Sequence, residues 1–255
     1  MLEINIPDLH AGKLAWAEET GGANYDTKIA IDTFNTALET LLHRVREHRF
    51  DQVLFVLGND LLNSDNEQGT TTGGTNVSSD VRYQKTFTLV RNMKINAIER
   101  LRQVAPVKVV PVSGNHDKLS VWHLGSSLEC YFHKYKDVEV DNSPRFRKYH
   151  EFGNVLLMLT HGHKGKRTDY PLTMATECPQ AFGRTKFREA HTGHLHGLDV
   201  KEYHGVRVRI LSALCPEDAW HSENNFIGNI RSAEAFVWNK SEGMIGTAIY
   251  NEAGE

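Results

Sequence analysis

Val107-Lys108-Val109-Val110-Pro111-Val112-Ser113-Gly114-Asn115-His116-Asp117 is a short apolar run that stops at a glycine and then presents an amide, an imidazole and a carboxylate. Its length and valine content predict a buried strand. The pattern recurs upstream. Leu2–Ile6 predicts a strand that ends at Pro7 and is followed by Asp8-Leu9-His10. Asp51–Leu57 predicts another, stopped by Gly58 and followed by Asn59-Asp60. Between these runs the period changes. Ile31, Phe34, Leu38, Leu41 and Val45 recur at steps of three and four, so Thr27 to about His48 is expected to form an amphipathic helix. Phe87, Val90, Met93, Ala97, Ile98 and Leu101 mark a second, over Asp80–Val104 with Asp80 as its N-cap. Strand–helix–strand–helix–strand implies parallel pairing through right-handed crossovers.

The second half has a different style. After a helical stretch at Lys118–Tyr135, strands are expected at Val138–Val140, Arg145–Glu151, Val155–Thr160, Leu198–Tyr203, Val206–Leu211, Ala233–Trp238 and Met244–Tyr250. Short links such as Glu151-Phe152-Gly153-Asn154 and Tyr203-His204-Gly205 favour antiparallel pairing there. The fold class is α/β, with the whole chain, 1–255, read as one domain. The Leu61–Ser79 connection is rich in Asn, Gly, Thr and Ser. A link that long without secondary structure is either functional or disordered.

Composition narrows the function classes. The 255 residues are 40% hydrophobic and 24% charged, the balance of a globular protein. No run of about 18 apolar residues is present, so no membrane span is expected. The first residues lack a basic flank and an apolar signal core, and the cysteines (Cys130, Cys178 and Cys215) form no CxxC pair. A cytoplasmic location is the expectation. Lys+Arg 29 against Asp+Glu 32 gives −3, which excludes a constitutively basic nucleic-acid coat and leaves a local basic groove open.

Histidine carries the chemistry. Of 14 histidines, several stand at strand exits beside Asp, Asn or Gly: Asp8-x-His10, Asn115-His116, His161-Gly162-His163 and His194-x-His196. C-terminal strand ends are where open α/β sheets place their sites. Two positions apart in extended backbone, Asp8 and His10 lean to one side, and His194 and His196 repeat that spacing. Carboxylates, imidazoles and one amide carbonyl form a ligand mix suited to Mn, Fe or Zn. Asp8, His10, Asp60, Asn115, His161, His194 and His196 supply seven ligands, enough for two neighbouring divalent ions.

Asp8-x-His10, Gly58-(Asn59)-Asp60, Gly114-Asn115-His116-Asp117, His161-Gly162-His163 and Gly193-His194-x-His196 resemble the motif series of the calcineurin-like metallophosphoesterase superfamily, over about three quarters of the chain. The resemblance implies a four-layer α/β/β/α sandwich of two mixed sheets with a dinuclear centre at the sheet edge. It implies that Asp8, His10 and His196 hold one ion, that Asn115, His161 and His194 hold the other, and that Asp60 bridges. His116 takes the place of the histidine that protonates the leaving oxygen, and in-line attack by a hydroxide held between the ions is the implied chemistry. Manganese is the first expectation, with iron, zinc, nickel or magnesium as alternatives.

The inserted Asn59 departs from the usual Gly-Asp motif. Asp60 is the only carboxylate at that exit and takes the bridging role, with Asn59 as runner-up. Arg-Gly in the second motif and Glu at position 117, both found in phosphoprotein phosphatases, are missing here. The Asp60–Tyr83 stretch is similar to phage and prophage exonuclease-like phosphoesterases, which in turn resemble the SbcD-type nuclease. A nucleic-acid phosphodiesterase is therefore the expected function, with a homo-oligomer or a partner ATPase as possible associations. The alternatives are a small-molecule phosphodiesterase or phosphomonoesterase, and a non-catalytic scaffold of the same fold.

Around this set, Arg82, His163 and Lys164, with the run to Arg167, are candidate substrate contacts, and so is Asp65. Asp117 is expected to orient His116, and His191 to support the ligands. The other histidines (His43, His48, His123, His133, His150, His204 and His221) read as surface or packing residues, and the indoles of Trp220 and Trp238 as packing residues. The Leu61–Ser79 connection is expected to close over a polymeric substrate or to pack on a second subunit.

Overall fold

The computed structural model describes residues 1–253. In chain order its elements are β1 (Leu2–Asn5), α1 (Ala17–Thr20), α2 (Thr27–Arg44), β2 (Val53–Gly58), α3 (Tyr83–Leu101), β3 (Val107–Val112), α4 (Lys118–Phe132) and β4 (Val138–Val140). There follow β5 (Lys148–Phe152), β6 (Val155–Leu159), α5 (Tyr170–Glu177), α6 (Pro179–Arg184), β7 (Phe187–Thr192), β8 (Asp199–Tyr203), β9 (Val206–Ile210), α7 (Ala219–Glu223), β10 (Ser232–Asn239) and β11 (Gly243–Asn251).

The first sheet runs β11-β10-β1-β2-β3-β4 and the second β5-β6-β7-β9-β8. Both are mixed. β1 to β4 are parallel neighbours in chain order, linked by α2, α3 and α4. The β10–β11 hairpin joins them antiparallel against β1. In the second sheet β6, β7 and β9 are parallel, whereas β5 and β8 lie antiparallel at its edges.

Strand alternation makes the layers. On β2, Val53, Phe55 and Leu57 face the core shared with α2, α3 and α4, while Leu54 and Val56 enter the core between the sheets. On β6, Val155, Leu157 and Leu159 meet Leu54 and Val56, and Leu156 and Met158 turn outward to Tyr170 and Met174 of α5. A strand apolar on both faces must be covered on both, so the order is α/β/β/α. Each such side chain contributes about 1.5–3 kcal/mol on full burial. No helix among the described residues is long and apolar enough to cross a membrane.

Buried charge also ties the sheets together. Glu3 of β1, fully buried, meets His191 Nδ1 of β7 at 2.8 Å and accepts from Trp238 Nε1 of β10 at 3.0 Å. His191 Nε2 lies 3.3 Å from Glu189. His191 therefore joins the two sheets, and both its ring nitrogens are engaged by carboxylates and not by the candidate ligand histidines.

Two local expectations change. Asp80 does not cap α3, which begins at Tyr83; its carboxylate accepts from Thr27 N at 2.7 Å and so helps Asp26 cap α2. The Leu61–Ser79 connection is pinned within the chain. Leu61 and Leu62 enter the core, Asn63 donates to Ser78 O at 2.9 Å, and Thr70 bridges to Asn76. Asp65 accepts from Leu119 N at 3.1 Å and Ser120 N at 2.8 Å, capping the first turn of α4. That carboxylate is occupied within the chain. Helices α5 and α6 add to the expected elements; Pro171 and Pro179 interrupt the apolar period there, and each proline sits in a first helical turn, where it is tolerated.

Candidate metal centre

The strand exits turn sharply. Asp8, His10, Asn59, Asp60, His194 and His196 all have positive φ, between 46° and 73°. Left-handed backbone at residues with a Cβ costs about 1–3 kcal/mol each and clusters at functional sites. Asn, Asp and His tolerate it best among such residues, which suits the residue types found here. The turns aim these side chains at one point over the ends of β1, β2, β3, β6 and β7.

The structure brings together Asp8, His10, Asp60, Asn115, His161, His194 and His196. In one group, His10 Nε2 and His196 Nε2 are 3.3 Å apart, and Asp8 Oδ1 stands 3.8 and 3.6 Å from them. In the other, His161 Nε2 lies 2.9 Å from Asp60 Oδ2 and 2.9 Å from Asn115 Oδ1, and His194 completes the group. Asp60 also shares a group with His10 and His116, so its carboxylate lies between the two sets. Asn59 does not replace it: its Oδ1 meets His161 Nδ1 at 2.7 Å and fixes that ring's orientation.

These residues fit divalent metal. Donor atoms on one ion at about 2.1 Å stand roughly 3 Å apart, close to the spacings above. Asp8 Oδ1 is buried and finds no hydrogen-bond partner within the protein. Burial holds His10 well below the ordinary imidazole range and lowers His196, and it brings His194 to about 4, leaving all three neutral as ligation requires. Burial lifts Asp8 to about 6, although His196 and His161 pull against it. His161 goes the other way: burial opposes its charge, but the Asp60 carboxylate prevails and raises it to about 8.

His116 is half-buried, edge-on to His10 with ring centres 4.6 Å apart. Its Nδ1 meets Asn63 O at 2.8 Å, which makes Nδ1 the protonated nitrogen and leaves Nε2 for a substrate. Its backbone N–H donates to Asp60 Oδ1 at 2.8 Å. Asp117 does not orient His116. Its carboxylate accepts from Leu62 N and Gly114 N at 3.0 and 3.1 Å and so braces the loop that carries Asn115 and His116.

His10, Asp60, Asn115, His116, His194 and His196 line a cavity of about 1070 Å³. His163 lies beside the candidate ligands, half-buried, 5.2 Å from the His161 ring. Arg82 and Lys164 are exposed and do not line this cavity, and Arg167 is paired with Asp199 at 2.8 Å. The chain's own basic contact there is Lys13, buried, donating to Pro216 O at 2.8 Å and paired with Asp218 at 3.4 Å. His221, read from sequence as peripheral, stacks on His196 at 5.4 Å and 22° and meets Asp218 Oδ1 at 2.6 Å. Lys13, Asp218 and His221 belong to no strand-exit motif, so only their convergence marks them. Trp238 packs as expected, but Trp220 is 58% exposed on the cavity wall. The remaining peripheral histidines are exposed, except His150, which is buried against Gln52.

No family model matches this sequence, and no curated protein matches it. Among solved structures, the chain is similar to an archaeal phosphodiesterase at 10% identity and TM-score 0.45, covering 99% of this chain and 100% of that one. Zinc-bound Vps29 from Entamoeba histolytica is similar at 16% identity and TM-score 0.44, covering 98% and 99%. A 5'-nucleotidase precursor from Thermus thermophilus is similar at 9% identity and TM-score 0.45; the match covers all of this chain and 54% of that one.

Proposed function

We propose that this chain is a metal-dependent phosphodiesterase with a dinuclear centre, acting on nucleic-acid phosphodiesters. The observation that carries the reading is the shared position of Asp60 between two groups of imidazole and carboxylate donors, with His116 beside them on the cavity floor. Asp8, His10 and His196 would hold one ion, Asn115, His161 and His194 the other, with Asp60 common to both. Two divalent ions, manganese first, would supply a nucleophile at neutral pH and neutralise phosphoryl charge. His116, protonated on both nitrogens, would keep its Nδ1–H on the Asn63 carbonyl and give its Nε2 proton to the leaving oxygen, ending as the neutral Nδ1–H imidazole. Asn59 steadies His161 from behind.

A second reading, hydrolysis of a small phosphodiester, is favoured by the scarcity of cationic side chains in the cavity, where Lys13 is already paired with Asp218. An activity panel with Mn2+ across single-stranded DNA, duplex DNA, RNA, cyclic nucleotides and phosphomonoesters tests both. Turnover of polymers above the small esters supports the first reading. Turnover of small diesters alone replaces it with the second, and no turnover with any divalent ion removes both.

A further inference from the structure

The cavity is larger than a phosphate group requires, and its outer wall differs in chemistry from its floor. Trp220 and Phe226 are 58% and 54% exposed, and their rings are nearly parallel, with centres 5.7 Å apart and planes at 24°. Trp16, 59% exposed, lines the same cavity from the start of α1, which packs against α7. Flat apolar faces left in water at the mouth of a site contribute little to folding, since their area is not removed from solvent. The shelf is nevertheless anchored. Asp218 caps the turn carrying Trp220 by accepting from His221 N, pairs with Lys13, and holds the His221 ring that stacks on His196. A chain of contacts thus joins the aromatic shelf to one of the ligand histidines.

The rest of the wall selects among possible occupants. Asn76 and Asn229 place amides, and Thr75 and Ser78 hydroxyls, around the same space. An acyl chain would leave those polar groups unmatched, whereas a planar heterocycle with a hydrogen-bonding edge uses both the ring faces and the amides. We propose that the Trp220–Phe226 shelf is a nucleobase-stacking subsite for the residue flanking the phosphodiester at the metal centre. This rests on the phosphodiesterase reading. A base lying on the shelf has left its helical stack, so the preferred substrate is a single strand or a frayed end.

The test compares kcat/KM with Mn2+ on a single-stranded oligonucleotide, the same strand with an abasic residue at the cleaved position, and a blunt duplex. Base–aromatic stacking is worth about 1–3 kcal/mol, so the wild type should favour the intact strand over the abasic one by roughly 5- to 150-fold. Trp220→Ala and Phe226→Ala should bring that ratio towards one, mainly through KM, and Trp220→Phe should restore much of it. Equal turnover of intact and abasic strands by the wild type, or ratios unchanged in both alanine variants, overturns the subsite. If no phosphodiester is cleaved, the phosphodiesterase reading fails separately. Quenching of tryptophan fluorescence by phosphorothioate oligo(dT) against its abasic counterpart then decides the shelf: base-dependent quenching keeps it, and equal quenching removes it.

Discussion

Gly114 packs against Asp60 so closely that a Cβ on Gly114 would stand 1.7 Å from Asp60 Oδ1 and 2.6 Å from its backbone nitrogen. The glycine is needed for close approach, since any side chain would occupy the position of the shared carboxylate. Gly193 stands in the same relation to Asp8, where a Cβ would meet Oδ2 at 2.4 Å. Gly114→Ala should therefore displace Asp60 and lower metal affinity by about 10- to 100-fold, the range for lost support around a metal site. Metal content after dialysis against graded Mn2+ checks this, and wild-type affinity in the variant would count against the crowding argument.

The two residues of the inserted motif should separate cleanly. Asp60→Ala is expected to lose metal and activity together, because both donor groups lose a member. Asn59→Ala leaves every proposed ligand in place and frees only His161 Nδ1, so its metals should bind about 10- to 100-fold more weakly but still bind. Metal loss confined to the Asn59 variant would reverse the assignment.

His116→Ala should keep its metals and lose turnover. The loss is expected to be about 10²–10⁴-fold on substrates with alkoxide leaving groups. It should be much smaller on bis-p-nitrophenyl phosphate, whose leaving group needs little protonation. Equal losses on both substrates would remove His116 as the proton donor.

Stability should depend on pH through His191. Burial opposes its charge, but Glu3 at 2.8 Å and Glu189 at 3.3 Å prevail and raise it from 6.5 to about 9. A raised value means the contribution is complete below pH 6.5 and is lost as pH climbs through 9. Lys94, lowered by burial to about 7, acts in the opposite sense: its penalty is felt below pH 7 and fades towards 10.5. The difference between wild type and His191→Gln cancels the Lys94 contribution. That difference, from urea denaturation, should shrink by on the order of 2–3 kcal/mol between pH 6.5 and 9. A difference constant over that window would show that His191 is not charged in the folded protein.

Salt should discriminate between substrates. Polymer cleavage that depends on several phosphate contacts weakens steeply as salt rises, because counterions are released on binding. With Lys13 as the basic residue on the cavity wall, and already paired with Asp218, the slope for single-stranded DNA should correspond to one phosphate at most. Measuring kcat/KM against salt concentration tests this, and a steep slope would bring exposed Arg82 or Lys164 back as contacts.

Sequence alone determined what local pattern can determine. Runs such as Val53–Gly58 and Val155–Leu159 are apolar at every position, which requires cover on both faces; that the cover is a second sheet on one side and helices on the other was implied by the family resemblance and is decided by the packing. Asp8-x-His10 and His194-x-His196 carry their chemistry in two-residue spacings, so their clustering at strand exits was legible before any fold was known. Tertiary structure decided whatever depends on residues distant in sequence. The hairpin of β10 and β11 joins the first sheet beside β1, placing Trp238 on Glu3 across 235 positions, and no local period encodes such a pairing. Asp80 and Asp65 each cap a helix other than the one that begins nearest to them in sequence, because an unpaired helix N–H is satisfied by whichever carboxylate the fold brings near. The loop carbonyl that holds His116 likewise belongs to Asn63, and not to the neighbouring Asp117. Trp220, an indole like the buried Trp238, is exposed because its turn is anchored by Asp218 to Lys13 and lies at the mouth of the cavity. Hydrophobicity is a property of the residue, whereas its burial depends on what the rest of the chain places above it.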